Sequence, residues 1–264
     1  MIFIKHNLDT KYEAIEIHVF ADLHIGDAEC DTDAIKQRIE TVRSTPNAYC
    51  VLNGDIIDNA SRSSIGDVET RQYNIMEQLN IAVDLFEPIK DKILCIVTGN
   101  HEYRAMKKEG IDLTQVLATA LGCADKYSPD CCLLSISHGH LGNGAPCRHP
   151  ERPKITTVFC THGSGGGRKA GGKVNNMMQM AETVDADLYI HSHTHMPAVV
   201  KDSFLRVDHA NRTFKIADRT FVNNGATMDF GGYGSMMGFQ PASKASPVIV
   251  LHSRHDRGIE VRVE

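Results

Sequence analysis

The chain lacks several features that would place it in a special class of protein. Its 264 residues contain no tryptophan, and no run reaches the roughly 20 apolar residues that a membrane-spanning helix requires. The segment MIFIKHNLDTKYE lacks the basic, apolar and small-residue regions of a secretory signal. Positive charge is not in excess, since 28 lysines and arginines stand against 33 acidic residues. We therefore expect a soluble cytoplasmic protein with no membrane partner and no surface that is basic throughout.

The eight cysteines show no metal or redox motif. None forms a C-x-x-C pair, and Cys131 and Cys132 are adjacent. Several stand inside apolar runs such as KILCIVTGN, so we interpret them as small buried hydrophobic side chains in a reducing compartment. The 14 histidines are more unusual, because some of them are candidates for metal ligands.

Predicted strands and helices alternate up to about residue 130, and strands predominate beyond it, which indicates an α/β fold. No Pro/Gly/Ser-rich linker and no internal repeat is visible, so residues 1–264 are expected to form a single domain that contains two sheets. The predicted strands are 14–21, 48–53, 92–99, 131–138, 154–162, 187–193, 198–208, 213–224 and 246–253, and the predicted helices are 32–44, 68–86, 112–121 and 174–184.

Polar clusters follow five of the predicted strands. Because functional groups collect at the carboxyl ends of strands in open α/β sheets, we expect these clusters to converge on one site. Aspartate, histidine and asparagine are ligands for divalent metals, and they are too many for one ion. Two ions about 3.5–4 Å apart would use them all, with one shared carboxylate. The clusters are Asp22 with His24, Asp55 with Asp58, Asn100 with His101, His162, and His193 with His195.

In this order the clusters resemble the signature of calcineurin-like metallophosphoesterases. The resemblance spans residues 22 to 195, extends more weakly to the C-terminal strands, and is greatest for bacterial and prophage-encoded members. The chain departs from the pattern at Ser192, where the family usually has glycine. The resemblance implies an α/β (α+β) fold, a four-layer α/β/β/α sandwich of two mixed sheets. The matching segments are Asp22-x-His24, Gly54-Asp55-x-x-Asp58, Gly99-Asn100-His101-Glu102, His162 and Ser192-His193-x-His195.

The resemblance also implies a role for each matching residue. A metal-bridging hydroxide would attack phosphorus, His101 would protonate the leaving oxygen, and Asp58 would orient His101 or a ligand. Manganese is the expected metal, although iron, zinc and nickel suit the same donors. One ion would take Asp22, His24, Asp55 and His195, and the other would take Asp55, Asn100, His162 and His193, with Asp55 as the bridge.

Other histidines also follow predicted strands. His138 and His140 are alternatives to His162 as a ligand, but His162 fits the family order better because a glycine follows it and His193 comes at the expected distance. We interpret His191 as a structural residue, because it alternates in direction with the apolar strand before it.

A glycine-rich basic loop follows His162. Its GxxxxGK spacing resembles a phosphate-binding P-loop, but Val174 stands where a Ser or Thr should bind magnesium. We predict instead that Arg168, Lys169 and Lys173 contact a substrate phosphate. An ordinary surface loop with solvated charges is the alternative.

A second glycine-rich segment, 223–239, contains three aromatic residues. Tyr233, with Phe230 and Phe239, offers a face on which a base stacks, and packing onto the second sheet is the alternative. Five further basic residues are candidates for the rim of the site, although a solvated face accounts for most of them: Arg62, Arg71, Arg104, Lys107 and Lys108.

The predicted function is hydrolysis of a phosphodiester in a nucleotide or a nucleic acid. The basic loop favours a diester, because it suggests space for a larger, multiply anionic substrate. One alternative is a phosphomonoesterase or nucleotide phosphatase. Another is a non-catalytic scaffold, since a retromer subunit resembles this fold with an eroded metal site, but here all seven family ligands are present. An oligomer is not indicated.

Overall fold

Two six-stranded sheets pack face to face and carry helices on their outer sides. The structure, a computed structural model, describes residues 1–60, 73–140, 152–165, 167–254 and 258–264. Its strands are β1 (Ile2–Asn7), β2 (Ala14–Phe20), β3 (Ala48–Asn53), β4 (Ile93–Val97), β5 (Tyr127–Ser128), β6 (Cys131–His138), β7 (Lys154–Thr161), β8 (Leu188–His191), β9 (Ala198–Asp208), β10 (Thr213–Asn223), β11 (Pro247–His252) and β12 (Ile259–Val263).

Most helices connect strands on the outer sides of the sheets. Within the described ranges, none is long and apolar enough to cross a membrane. Two 3-10 helices cover Glu87–Lys92 and Ala124–Lys126. The α-helices are α1 (Thr32–Ser44), α2 (Ile75–Phe86), α3 (Asn100–Glu109), α4 (Leu113–Ala120), α5 (Ala170–Met178), α6 (Met180–Thr183) and α7 (Gly232–Met236).

Both sheets are mixed. The strand order is β1-β6-β7-β8-β10-β9 in the first sheet and β12-β11-β2-β3-β4-β5 in the second. In the second sheet β2, β3, β4 and β5 run parallel, and in the first sheet β7, β8 and β10 run parallel. The carboxyl ends of each parallel set therefore emerge together at one edge of their sheet.

The core lies in three layers. Ile15, Ile17 and Val19 of β2 face the other sheet, whereas Phe20 faces the helices. Helices α1, α2 and α4 cover the outer side of the second sheet, and α5 and α6 cover part of the first. This arrangement confirms the four-layer α/β/β/α sandwich of two mixed sheets. The seven described cysteines are free thiols, and five of them are buried.

Helix boundaries differ from the sequence prediction where capping decides them. The helix predicted over 68–86 begins at Ile75, because Asn74 caps its first turn by accepting from the backbone N–H of Glu77. Residues 68–72 of that prediction lie outside the described ranges. The helix predicted over 174–184 is divided between α5 and α6. Helix α3 was not predicted, since it buries only Glu102 and Ala105 and shows little apolar periodicity.

Candidate metal centre

The five polar clusters come together where the two sheets meet. Three clusters follow β2, β3 and β4 of the second sheet, and two follow β7 and β8 of the first. Backbone contacts join them: the N–H of His193 donates to the Asp22 carboxylate at 3.1 and 3.2 Å. The N–H of His101 donates to Asp55 Oδ1 at 2.8 Å. The structure thus brings both sheets to one polar site.

A first group of donor atoms consists of Asp22, His24 and His195, which lie within 4.8 Å of one another. The Nε2 atoms of His24 and His195 are 3.2 Å apart, and His195 Nε2 is 3.5 Å from Asp22 Oδ1. Burial and the nearby His101 hold the pKa of His24 well below its usual value. His24 is therefore neutral at pH 7, which is the form that binds metals.

A second group consists of Asp55, His162 and His193. His162 Nε2 lies 3.2 Å from Asp55 Oδ2 and 3.1 Å from Asn100 Oδ1. His193 Nδ1 lies 2.7 Å from the same Asn100 oxygen. The two groups are adjacent, since His162 Nε2 is also 4.0 Å from Asp22 Oδ1 of the first group.

Five of the predicted ligands adopt left-handed backbone conformations, with φ between 49 and 68°. Non-glycine residues rarely adopt this region, and each such residue costs about 1–3 kcal/mol unless its surroundings impose it. The unfavourable conformations cluster at one site. This indicates that the backbone there is held in a strained form in order to position the five side chains. The residues are Asp22, His24, Asp55, His193 and His195.

Asp55 belongs to the second group and is 1% exposed. Burial alone would raise the pKa of this carboxyl, but the neighbouring His162 outweighs burial and holds the pKa well below its usual range. Burial has the opposite effect on His162 and lowers its pKa. The Asp55 carboxylate overcomes this effect and raises the pKa of His162 to about 10. Asp55 and His162 therefore form a charged pair when no metal is bound.

His101 lies beside Asp55 with its ring held by Asp58. Its Nδ1 is 2.6 Å from the Asp58 carbonyl oxygen and 3.3 Å from Asp58 Oδ1, and its Nε2 is 3.9 Å from Asp55 Oδ2. Asp58 Oδ1 is also 3.9 Å from His24 Nδ1, so this carboxylate contacts both imidazoles. Burial lowers the pKa of His101, but Asp58 and Asp55 outweigh burial and raise it.

Asn53 joins the two sheets and was not predicted as a site residue. Its side-chain amide donates to the Thr161 carbonyl and to Ser192 Oγ, both at 2.8 Å, and its own carbonyl accepts from His162 Nδ1 at 2.8 Å. A proton on Nδ1 leaves Nε2 of His162 free to act as a ligand. Ser192, which replaces the usual glycine, is thus fully buried and hydrogen-bonded rather than disruptive.

Glu102 is a second residue for which the sequence suggested no role. It is 2% exposed, and its carboxylate accepts backbone hydrogen bonds from the loops that follow β3 and β4. Gly99 directly precedes the first turn of α3, and Glu102 stands three residues after it. This spacing is a helix-capping signal by which Glu102 could have been found in the sequence.

Strand direction separates the competing histidines. Strands β6 and β7 are antiparallel and pair His138 with Lys154, the first residue of β7, whereas His162 follows the last. His138 therefore lies at the opposite end of the strand pair from the site. His191 Nδ1 contacts Asn223 Oδ1 at 2.6 Å, and a Cβ at Gly163 would lie 2.1 Å from His191 Nε2. His191 thus packs behind the loop that follows His162.

Lys173, predicted as part of the basic loop, lies in α5 and reaches the site. Lys173 donates from Nζ to the carbonyl of Thr194, between the predicted ligands His193 and His195, at 2.7 Å. The guanidinium of Arg168 lies over the ring of Phe239 at 5.6 Å, so the two glycine-rich segments touch.

The other two predicted substrate-binding residues lie on or beside helices. Lys169 is exposed and precedes α5, and Tyr233 lies in α7. Arg62 and Arg71 lie outside the described residues.

The donors fit divalent metal ions. The two groups offer carboxylate oxygens and imidazole nitrogens, and the neighbouring Asn100 adds an amide oxygen, which together form a donor set that Mn, Fe, Zn and Ni accept. The groups adjoin where His162 Nε2 of the second lies 4.0 Å from Asp22 Oδ1 of the first, and the Asn53 carbonyl binds Nδ1 of His162, which leaves Nε2 facing the other donors. The family model for calcineurin-like phosphoesterases matches residues 15–197, which include all seven predicted ligands.

The chain belongs to the calcineurin-like phosphoesterase family. Family membership and the His/Asp groups together support divalent metal ions as cofactors. A search of curated proteins found no match.

Solved structures show a distant likeness. A metallophosphoesterase from Sphaerobacter thermophilus is 13% identical, with 95% of this chain and 88% of that chain covered and a TM-score of 0.38. A nuclease MPE from Pseudomonas putida is 14% identical, with 94% and 87% covered and a TM-score of 0.35. Vps29 from Entamoeba histolytica, complexed with zinc, is 9% identical, with 95% and 98% covered and a TM-score of 0.39. These values are low, and the family assignment depends on the family model alone.

The His162–Asp55 pair predicts how the stability of the metal-free protein changes with pH. Because the pKa of His162 is raised from 6.5 to about 10, its contribution is fully present below pH 6.5 and is lost as the pH rises to 10. We expect the free energy of unfolding, measured by urea titration with a chelator present, to fall over this range. His162→Gln should reduce that fall, whereas the exposed control His209→Gln should not. Equal pH dependence in His162→Gln and the wild type would contradict the pairing.

Proposed function

We propose that the chain hydrolyses a phosphodiester of a nucleotide or a nucleic acid with two divalent metal ions. The observation that carries the proposal is the adjacency of two metal-donor groups with buried carboxylates: His162 Nε2 lies 3.2 Å from Asp55 Oδ2 of its own group and 4.0 Å from Asp22 Oδ1 of the other. A second observation supports it, because an imidazole with a raised pKa, His101, lies beside the Asp55 carboxylate. A metal-donor set next to a proton donor suits ester hydrolysis.

The backbone of the chain would hold the metal-binding side chains in position. Asp55 would contact both ions, and left-handed backbone at five ligands aims their side chains inward. When bound, the two ions would supply the nucleophile at neutral pH and offset negative charge on the phosphoryl oxygens. One ion would be held by Asp22, His24, Asp55 and His195, and the other by Asp55, Asn100, His162 and His193.

His101 would donate the proton that the leaving oxygen needs. Asp58 holds Nδ1 of His101, so the opposite nitrogen, Nε2, is the one that points toward Asp55 and the predicted reaction centre. The raised pKa keeps the imidazole protonated to higher pH than a free histidine. Asp58 would therefore act by fixing the ring and favouring its charged form.

Basic side chains at the rim of the site favour a diester substrate. Lys173 is held beside the ligand-bearing turn at Thr194, where its ammonium would meet a phosphate next to the metal centre. Arg168 is exposed and lies further out against Phe239, where cation and ring together suit a second phosphate and a base. A substrate with groups on both sides of the scissile phosphate, a diester, would use both positions.

Manganese is the metal we propose. The mixed oxygen and nitrogen donors do not discriminate strongly among first-row metals, so availability decides which ion is bound. Iron, zinc and nickel are the alternatives that the same donors accept.

The test of the function compares a diester with a monoester. With Mn²⁺, we expect the protein to hydrolyse bis-p-nitrophenyl phosphate faster than p-nitrophenyl phosphate, to lose this activity on chelation and to regain it when Mn²⁺ is restored. Faster monoester hydrolysis would identify a phosphomonoesterase instead. No turnover with Mn²⁺, Fe²⁺, Zn²⁺ or Ni²⁺ would contradict an enzymatic function. Oligonucleotides, nucleotides and cyclic nucleotides then narrow the natural substrate.

The roles of His101 and Asp55 predict two different failures. His101→Ala should keep Mn²⁺ and lose about 10²–10⁴-fold in kcat, because only proton transfer is removed. Asp55→Asn should lose Mn²⁺ and activity together, because the shared ligand is weakened. Metal content by mass spectrometry and steady-state kinetics separate the two effects.

The matched control for His101→Ala is His209→Ala, a histidine that is exposed in the turn between β9 and β10. It should retain both metal content and kcat. A fully active His101→Ala protein would show that another group supplies the proton.

A further inference from the structure

The carboxylate of Glu102 is buried beneath the turn that carries Asp55. Its Oε1 accepts from the N–H groups of Ile56 at 2.6 Å and Ile57 at 3.1 Å. Its Oε2 accepts from the N–H groups of Asp55 and Gly99, both at 3.1 Å. One side chain thus binds three consecutive amides of the loop after β3 and one amide of the loop after β4.

These bonds act on a turn that the backbone does not favour by itself. Asp55 has a φ of 50° and Gly54 a φ of 84°. An L-residue such as Asp55 stays in the left-handed region only where its surroundings hold it. Glu102 holds the turn through its amides, whereas the carbonyls of residues 54–56 accept from the backbone N–H groups of residues 22–25.

The two loops also bind each other in the opposite direction. Asp55 Oδ1 accepts from the N–H of His101 at 2.8 Å, in the first turn of α3, while Glu102 in that turn accepts from the N–H of Asp55. A Cβ at Gly99 would lie 2.1 Å from the Asp55 nitrogen, so the backbones are in direct contact. Each carboxylate therefore caps the segment that carries the other.

We propose that Glu102 is a positioning residue that sets the place of the Asp55 carboxylate beside His162 and His101. It does so through the backbone of residues 55–57 and does not itself bind metal. The inference rests on the proposed function only in taking Asp55 as the ligand shared by the two ions.

The first test is Glu102→Gln. Glutamine has nearly the same shape, but its NH₂ group would face backbone N–H groups, so some of the four hydrogen bonds must be lost. By calorimetry with Mn²⁺ alone, we expect affinity to fall about 10–100-fold, as for other residues that orient a metal ligand. Glu109→Gln, an exposed glutamate of the same helix, is the control and should bind Mn²⁺ like the wild type.

A second readout separates positioning from general stabilisation. With Mn²⁺ at saturation, the electron paramagnetic resonance spectrum reports magnetic coupling between two ions that share a carboxylate. We expect the wild type and Glu109→Gln to show this coupling and Glu102→Gln to show it weakened. A residue that only stabilises the fold would leave the spectrum of the saturated protein unchanged. Wild-type affinity and coupling in Glu102→Gln would overturn the proposal.

A third measurement needs no variant and covers the case in which Glu102→Gln fails to fold. In the metal-free wild type, amide hydrogen exchange followed by NMR should show strong protection at Asp55, Ile56 and Ile57. Rapid exchange at these three amides would overturn the proposal. All three measurements are made without substrate, so absence of turnover in the wild type would bear on the proposed function alone.

Discussion

The carboxylate of Asp55 must remain ionised although it is almost completely buried. Charge in such a place is costly unless opposite charge and hydrogen-bond donors surround it. Here His162 supplies the charge and the N–H of His101 supplies a donor. In the proposed enzyme the two metal ions replace the proton of His162. The same buried position thus accounts for the charge pairing of Asp55 with His162 in the metal-free protein, and it suits the shared metal ligand that we propose.

The rest of the site depends on bringing loops from two sheets close to this carboxylate. Asn53 reaches across to Thr161 and Ser192, so the last residue of β3 fixes the ends of β7 and β8. Gly99 and Gly163 allow the loops to touch, because a Cβ at Gly99 would collide with Asp55 and a Cβ at Gly163 would collide with His191. Left-handed backbone at five predicted ligands is the local cost, and the contacts between loops maintain it.

The sequence predicts much of this arrangement because the relevant residues follow buried strands directly. Short apolar runs locate β2, β3 and β4, and the polar residues after them identify an edge of the sheet at which they meet. Strand direction is not visible in such runs, so His138 stayed an alternative to His162 until the antiparallel pairing of β6 and β7 placed it at the other end. Asn53 escaped prediction because its side-chain partners lie 108 and 139 residues away in the chain. Glu102 carries a local capping signal, but its three bonds to the turn of Asp55 span 45–47 residues and are not visible in the sequence. The assignment of each ligand to one ion or the other stays a prediction.

Crystallographic anomalous scattering at the manganese edge, on crystals grown with Mn²⁺, tests the central claim most directly. We predict two peaks about 3.5–4 Å apart, with Asp55 touching both. One peak should be bounded by Asp22, His24 and His195, and the other by Asn100, His162 and His193. A single peak, or two peaks that do not share Asp55, would contradict the account.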